Sequence, residues 1–183
     1  MAKNARKQKV FLHNRYEEVE SAWCEPCGGR EDGERLFRLL NIPFLHAKPT
    51  YGDVIAARRD EEFDGNWAWN RDGASYRQTC LKRIHTDGGR FAMIVDYHVT
   101  PTGDFQAWMA WLVGWMQKDR IVAEGAWAPN EERPGRLYLA VPTRRRPSWV
   151  MRAFEKGPAG LRFEQIHPKP HKRRATSKKP RRG

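Results

Sequence analysis

The spacing of apolar and polar positions changes character about halfway along the chain. Between residues 10 and 85 the apolar residues fall in short runs broken by glycine, proline and aspartate. VFLHN reads as extended, and EEVESAWCEP alternates around Val19 and Trp23. In ERLFRLLNIPF, Leu36, Leu39 and Ile42 recur at helical spacing. A residue before proline is driven out of the α region, however, so Asn41-Ile42-Pro43 favours a strand that runs into a turn. YGDVIAARRD supplies another strand, with Val54 and Ala56 on the face opposite Ile55 and Ala57. Asp64-Gly65 and Asp72-Gly73 tolerate positive φ and mark turns. Several short strands at this spacing predict a small barrel or a curled sheet.

From residue 89 onward the elements lengthen and begin to alternate. GRFAMIVDYHV predicts a strand, TGDFQAWMAWLVGWMQKD a helix, and RIVAEGAWAP and RLYLAVP two strands joined through Arg133-Pro134-Gly135. RPSWVMRAFEKG predicts a second helix stopped by Gly157, and LRFEQIH a last strand. The order β-α-β-β-α-β is that of a ferredoxin-like split unit. In the first helix, Phe105, Met109, Leu112 and Met116 follow an i, i+4, i+7, i+11 pattern and are expected to face the sheet. Trp108, Trp111 and Trp115 form a flank beside them. The expected class is therefore α+β: a β-rich module over 10–85 and a ferredoxin-like module over 86–167.

Three blocks within the first module resemble an uncharacterised bacterial family, domain of unknown function number 4265. They are VESAWCEP, FRLLNIPF and YGDVIAA, similar to that family's V-E-S-x-W-x-x-P, N-x-P-F and G-D-x-V blocks in kind and separation. The resemblance extends in pattern alone through about residue 167. It implies a fold and a family, and it implies no activity.

Charge changes the picture through its location. The net charge is +12. Residues 1–9 carry four lysines and arginines and residues 169–183 carry eight, with no acid in either stretch, so the body between them is formally balanced. The C-terminal stretch is proline-broken, like-charged and almost free of apolar side chains, a composition that does not fold alone. Residues 1–9 and 168–183 are read as basic, disordered arms. No run of about 18 apolar residues exists to cross a membrane, and MAKNARKQK lacks the apolar stretch of a secretory signal. A cytoplasmic protein with three reduced cysteines is expected.

Four features could carry chemistry. Cys24 and Cys27 in AWCEPCGG have the spacing of a zinc knuckle or a redox turn, yet zinc needs four ligands. Cys80 has no neighbouring cysteine, and no H-x(3–5)-H pair exists inside the body. The stretch is expected simply to turn the chain, with Cys24 and Cys27 the only weak metal candidates and no cofactor implied. The flank Trp108, Trp111 and Trp115 is either core or a docking face for a protein partner, because tryptophan dominates interface hot spots. Arg144, Arg145 and Arg146 precede Pro147 at a helix start, where cations oppose the macrodipole. They either form an anion site beside free backbone amides or pair with Glu131 and Glu132. Lys172, Arg173, Arg174, Lys178, Lys179, Arg181 and Arg182 suit nonspecific contact with a polyanion.

No G-x-S-x-G, H-E-x-x-H, P-loop or G-x-G-x-x-G pattern is present. The expectation is a noncatalytic accessory protein that binds nucleic acid or a ribonucleoprotein largely through its basic ends. The alternative is an immunity- or inhibitor-type module that binds protein through the tryptophan flank.

Overall fold

Among the described residues nine strands and two helices follow one another: β1 (Gln8–His13), β2 (Val19–Glu31), β3 (Glu34–Leu39), β4 (Val54–Asp60), β5 (Gln78–Thr86), β6 (Arg90–Val99), α1 (Phe105–Asp119), β7 (Val122–Trp127), β8 (Gly135–Pro142), α2 (Pro147–Glu155) and β9 (Leu161–His167). The computed structural model describes residues 7–13, 19–31, 33–60, 78–99, 104–130, 132–158 and 161–167. Among the described residues the fold is mixed, with a curled five-stranded sheet, a second sheet and two helices. Among the described residues no helix is long and apolar enough to cross a membrane.

Strands β1 to β5 pair in sequence order, each antiparallel to the next, and β1 meets β5 in a parallel bridge at Phe11 and Cys80 that closes the barrel. Period-two alternation sends one face inward. Val10, Leu12, Ala22, Cys24, Phe37, Leu39, Ile55 and Ala57 make the barrel core.

One expectation fails here. AWCEPCGG does not turn the chain: it lies inside β2, which runs on to Glu31 before the reversal at Gly33 (φ 78°). The stretch bulges instead. The register against β3 shifts between Pro26 and Arg30, and Gly28 takes φ 146°, a conformation that glycine adopts without strain. Pairing with β1 ends at Cys24, so the missing N–H of Pro26 falls where β2 has a neighbour on one side only.

The second sheet runs β7-β8-β6-β9, with every neighbouring pair antiparallel. Alternation along β6 and β8 divides its side chains between two cores. Met93, Val95, Tyr97, Leu137, Leu139 and Val141 lie under the helices with Trp108, Leu112, Val150 and Phe154. Tyr138 and Ala140 face the other way, against Ile42, Tyr51, Ile94 and Val122. The barrel's 40–53 loop thus covers the face that the helices leave open, which explains why β8 is buried along nearly its whole length.

Both helix ends follow local chemistry. Asp104 caps α1 by accepting from the backbone N–H groups of Gln106 and Ala107 at 2.9 and 3.1 Å. Pro147 opens α2, whose N-cap, Arg146, provides no side-chain hydrogen bond. The helical stripe differs from the expected one. Trp108 is 1% exposed and Leu112 is buried beside it, whereas Phe105 is 40% exposed. Most positions of α1 are apolar, so periodicity alone cannot say which stripe is central. Contact with α2 rotates the answer towards the tryptophans.

Candidate functional site: a cleft lined by arginines

The register of β6 on β8 pairs Arg90 with Pro142 and so brings the Asp87-Gly88-Gly89 connection against Thr143 and Arg144. Thr143 donates to the Gly89 carbonyl from its backbone N–H at 2.9 Å and from its hydroxyl at 3.2 Å. Gly89 sits at φ 70°, in the left-handed region. Arg120, just past α1, has φ 56°. Its carbonyl accepts from Arg90 Nη1 at 2.6 Å, and the Ala140 carbonyl accepts from the same atom at 3.0 Å. Those two bonds hold the Arg90 guanidinium in place, 5.6 Å from the Tyr51 ring centroid.

The result is a cleft of about 260 Å³ lined by Arg90, Arg120, Arg144, Thr143 and the two glycines, with no carboxylate among its lining residues. Burial, together with the like charge of Arg144 and against the pull of Tyr51, holds Arg90 below the ordinary arginine range. The nearest acids are already engaged. Asp87 accepts from Lys48 at 3.0 Å and from the Gly89 N–H at 2.7 Å, and the lysine bond is the main reason its carboxyl lies low. Asp119 accepts from Arg145 at 2.6 Å. Three arginines lining a polar hollow, with neighbouring carboxylates neutralised, offer cations that can hold a phosphate or carboxylate by charge-assisted hydrogen bonds.

The three consecutive arginines therefore separate. Arg144 lines the cleft. Arg145 packs its guanidinium 4.3 Å from the Trp149 ring centroid and ties the end of α1 to the start of α2 through Asp119. Arg146 is the exposed N-cap of α2. The expected pairing of this run with Glu131 and Glu132 is replaced for Arg145 by Asp119; Glu131 lies outside the described residues. Arg90 and Arg120 were missed from the sequence. The signal was present in Gly88-Gly89-Arg90, a glycine pair followed by a cation between two strands.

Of the tryptophan flank, Trp108 is buried and Trp111 and Trp115 are half-buried against the same core. Trp108 stacks on Tyr97 at 4.7 Å, Trp111 and Trp115 meet Phe154 edge-on at 5.6 and 5.2 Å, and Trp115 stacks on Trp149 at 5.6 Å. Of the two readings of Trp108, Trp111 and Trp115, core or docking face, their packing is that of core: they form the joint between the sheet and the two helices. Trp67, Trp69, Lys172, Arg173, Arg174, Lys178, Lys179, Arg181 and Arg182 lie outside the described residues.

Cys24 points into the barrel, its Sγ 3.6 Å from the Ala22 carbonyl. Burial, and then the neighbouring Cys27, push its thiol up to about 12. A thiol held protonated is a poor ligand and a poor nucleophile. Among the described residues no group of three histidine, cysteine or acidic side chains could hold a metal.

A second charged cluster joins the two sheets. Glu20 on β2 accepts from the backbone N–H groups of Phe44 and Leu45 at 2.6 and 2.9 Å, and His46 Nδ1 lies 3.3 Å from the same carboxylate. Glu124 on β7 accepts from the Ile42 N–H at 3.0 Å. Burial raises Glu20, but the bonds from His46, Leu45 and Phe44 outweigh it and set the carboxyl below its ordinary 4.5. Glu124 moves the other way, mainly through burial. A lowered carboxyl stabilises the fold above its unfolded value and loses that contribution as pH falls through the folded value. Glu20→Gln is expected to be less stable than the parent at pH 7 and to lose less stability between about pH 5 and 3. Urea unfolding of both proteins at pH 7, 5 and 3 checks this; parallel acid limbs would dismiss the role of Glu20.

No protein-family model matches the chain, and no curated protein matches it. Among solved structures it is similar to a hypothetical protein from Neisseria gonorrhoeae, at 12% sequence identity and a TM-score of 0.47, over 88% of this chain and 95% of that one.

Proposed function

We propose that the chain is a noncatalytic accessory protein that binds nucleic acid or a ribonucleoprotein, seating a phosphate among Arg90, Arg120 and Arg144 and adding nonspecific affinity through residues 172–182. The observation that carries this reading is the convergence of three arginines on a polar cleft with no lining carboxylate. The basic C-terminal stretch, which has no acid in it, supports a polyanion as the ligand. A ferredoxin-like assignment for 86–167 belongs to the same reading, supported by the strand order β7-β8-β6-β9 with both helices on one face. So does membership of family 4265, supported by its three blocks falling on β2, on β3 with the loop after it, and on β4.

The test is binding of a fluorescent single-stranded RNA over a salt series. Removal of residues 168–183 is expected to weaken binding and flatten its salt dependence without abolishing it. On that shortened chain, Arg120→Ala with Arg144→Ala is expected to weaken binding at least tenfold and to reduce the log–log salt slope by about 0.7, the value for one lost phosphate contact on a single strand. A shortened chain that binds equally well with and without both arginines would remove the cleft from the function.

A further inference from the structure

The arginine cleft is matched in size and charge to one form of phosphate. Its volume, about 260 Å³, falls short of the roughly 300–1,000 Å³ of sites that enclose a small molecule. A phosphate group fits inside it, and the nucleoside attached to that group lies outside. Arg120 and Arg144 are exposed and Arg90 is half-buried, so all three side chains are open to a ligand from solvent.

Charge narrows the choice. The three arginines line the hollow with no carboxylate among them, and the acids nearby, Asp87 and Asp119, are engaged by Lys48 and Arg145. Burial first, and the like charge of Arg144 with it, disfavours the Arg90 cation. An anion seated here relieves both effects, and two negative charges relieve them more than one. The Arg90 guanidinium is also fixed before any ligand arrives. Its Nη1 donates to the Arg120 and Ala140 carbonyls at 2.6 and 3.0 Å. That leaves Nε and Nη2, the edge that meets an oxyanion side-on, to a ligand. An internal phosphodiester brings one negative charge and has chain on both sides. A phosphomonoester brings about 1.5–2 at pH 7 and has chain on one side.

We propose that the cleft binds the terminal phosphomonoester of a single-stranded nucleic acid, with the dianion among Arg90, Arg120 and Arg144 and its nucleoside outside; this rests on the nucleic-acid reading above.

The full-length protein is titrated at pH 7.5 with three short RNA strands of one sequence, labelled on an internal base. One has hydroxyl groups at both ends, one a 5′-phosphate and one a 3′-phosphate. At least one phosphorylated strand is expected to bind tenfold or more tightly than the hydroxyl strand. The basic ends of the protein meet all three strands alike, so they cancel in this ratio. A phosphomonoester loses its second charge near pH 6 while arginine keeps its own, so at pH 5 the advantage is expected to fall below about threefold. Inorganic phosphate should erase the advantage at pH 7.5 and leave the hydroxyl strand bound. Arg120→Ala with Arg144→Ala should bring the phosphorylated strand within about threefold of the hydroxyl strand on the same variant, with an unchanged thermal midpoint. Equal binding of all three strands, an advantage that persists at pH 5, or one that survives loss of both arginines would each overturn the strand-end inference and leave RNA binding by the chain standing. Thermal stabilisation by inorganic phosphate without any preference among the strands would assign the cleft to free phosphate and overturn it too. Failure of every strand to bind would remove the nucleic-acid reading itself, and the inference with it.

Discussion

Replacing Trp108 with alanine is expected to destabilise the fold by about 4 kcal/mol, as the loss of a large buried aromatic ring usually does. The ring is 1% exposed and lies at the centre of the core that seats α1 on β6 and β8. It stacks on Tyr97 at 4.7 Å and meets Phe105 at 5.7 Å. Truncation would remove that stacking and join the vacated space to the adjacent groove between α1 and β7, so the helix could not simply settle into the gap. Trp23 provides the control. It is 48% exposed on the outer face of β2, and Trp23→Ala is expected to change stability by no more than about 0.5 kcal/mol. Urea midpoints for the two variants measure the contrast; equal effects would mean that the α1 face has been misassigned.

Asp53→Ala is expected to cost about 3 kcal/mol, because it strands several donors at once. Asp53 is fully buried. Its carboxylate accepts from the backbone N–H groups of Thr50 at 2.8 Å and Gly88 at 2.7 Å, and from Lys48 at 3.2 Å. Lys48 also reaches Asp87. One side chain thus holds together the loop before β4 and the connection between β5 and β6. Asp53→Asn keeps one acceptor oxygen and loses the charge, so about half the penalty is expected. Thermal unfolding of the two variants gives the comparison; a loss below about 1 kcal/mol in Asp53→Ala would show that water satisfies the freed donors.

Much of the fold was legible because its signals are local. Val10 and Leu12 alternate as strands must, and Pro147 marks a helix start by side-chain chemistry alone. Strand β2 was misread at Cys24-Glu25-Pro26-Cys27 because a bulge and a turn use the same residues. Only the partner strand, invisible in the sequence, decides between them. The α1 stripe was misread for a related reason: which of two apolar stripes is central depends on where α2 packs.

The cleft was the least legible feature. Arg144 could be singled out from RRRP, but Arg90 and Arg120 join it only through the register of β6 on β8 and the left-handed residue that ends α1. The charge balance of the body also misled. A body with equal numbers of acids and bases can still gather three cations in one place when Asp87 and Asp119 are occupied by Lys48 and Arg145.

At Gly88 a Cβ atom would come within 2.5 Å of the Gly52 carbonyl carbon. The strand that leaves the barrel and the loop that enters it therefore touch backbone to backbone, at the point where the chain passes from one sheet to the other. Cutting the polypeptide there would not yield two self-sufficient pieces. The first would keep a buried carboxylate whose amide partner had departed, and the second would expose Tyr138 and Ala140 to water, so each half depends on the other for a finished surface.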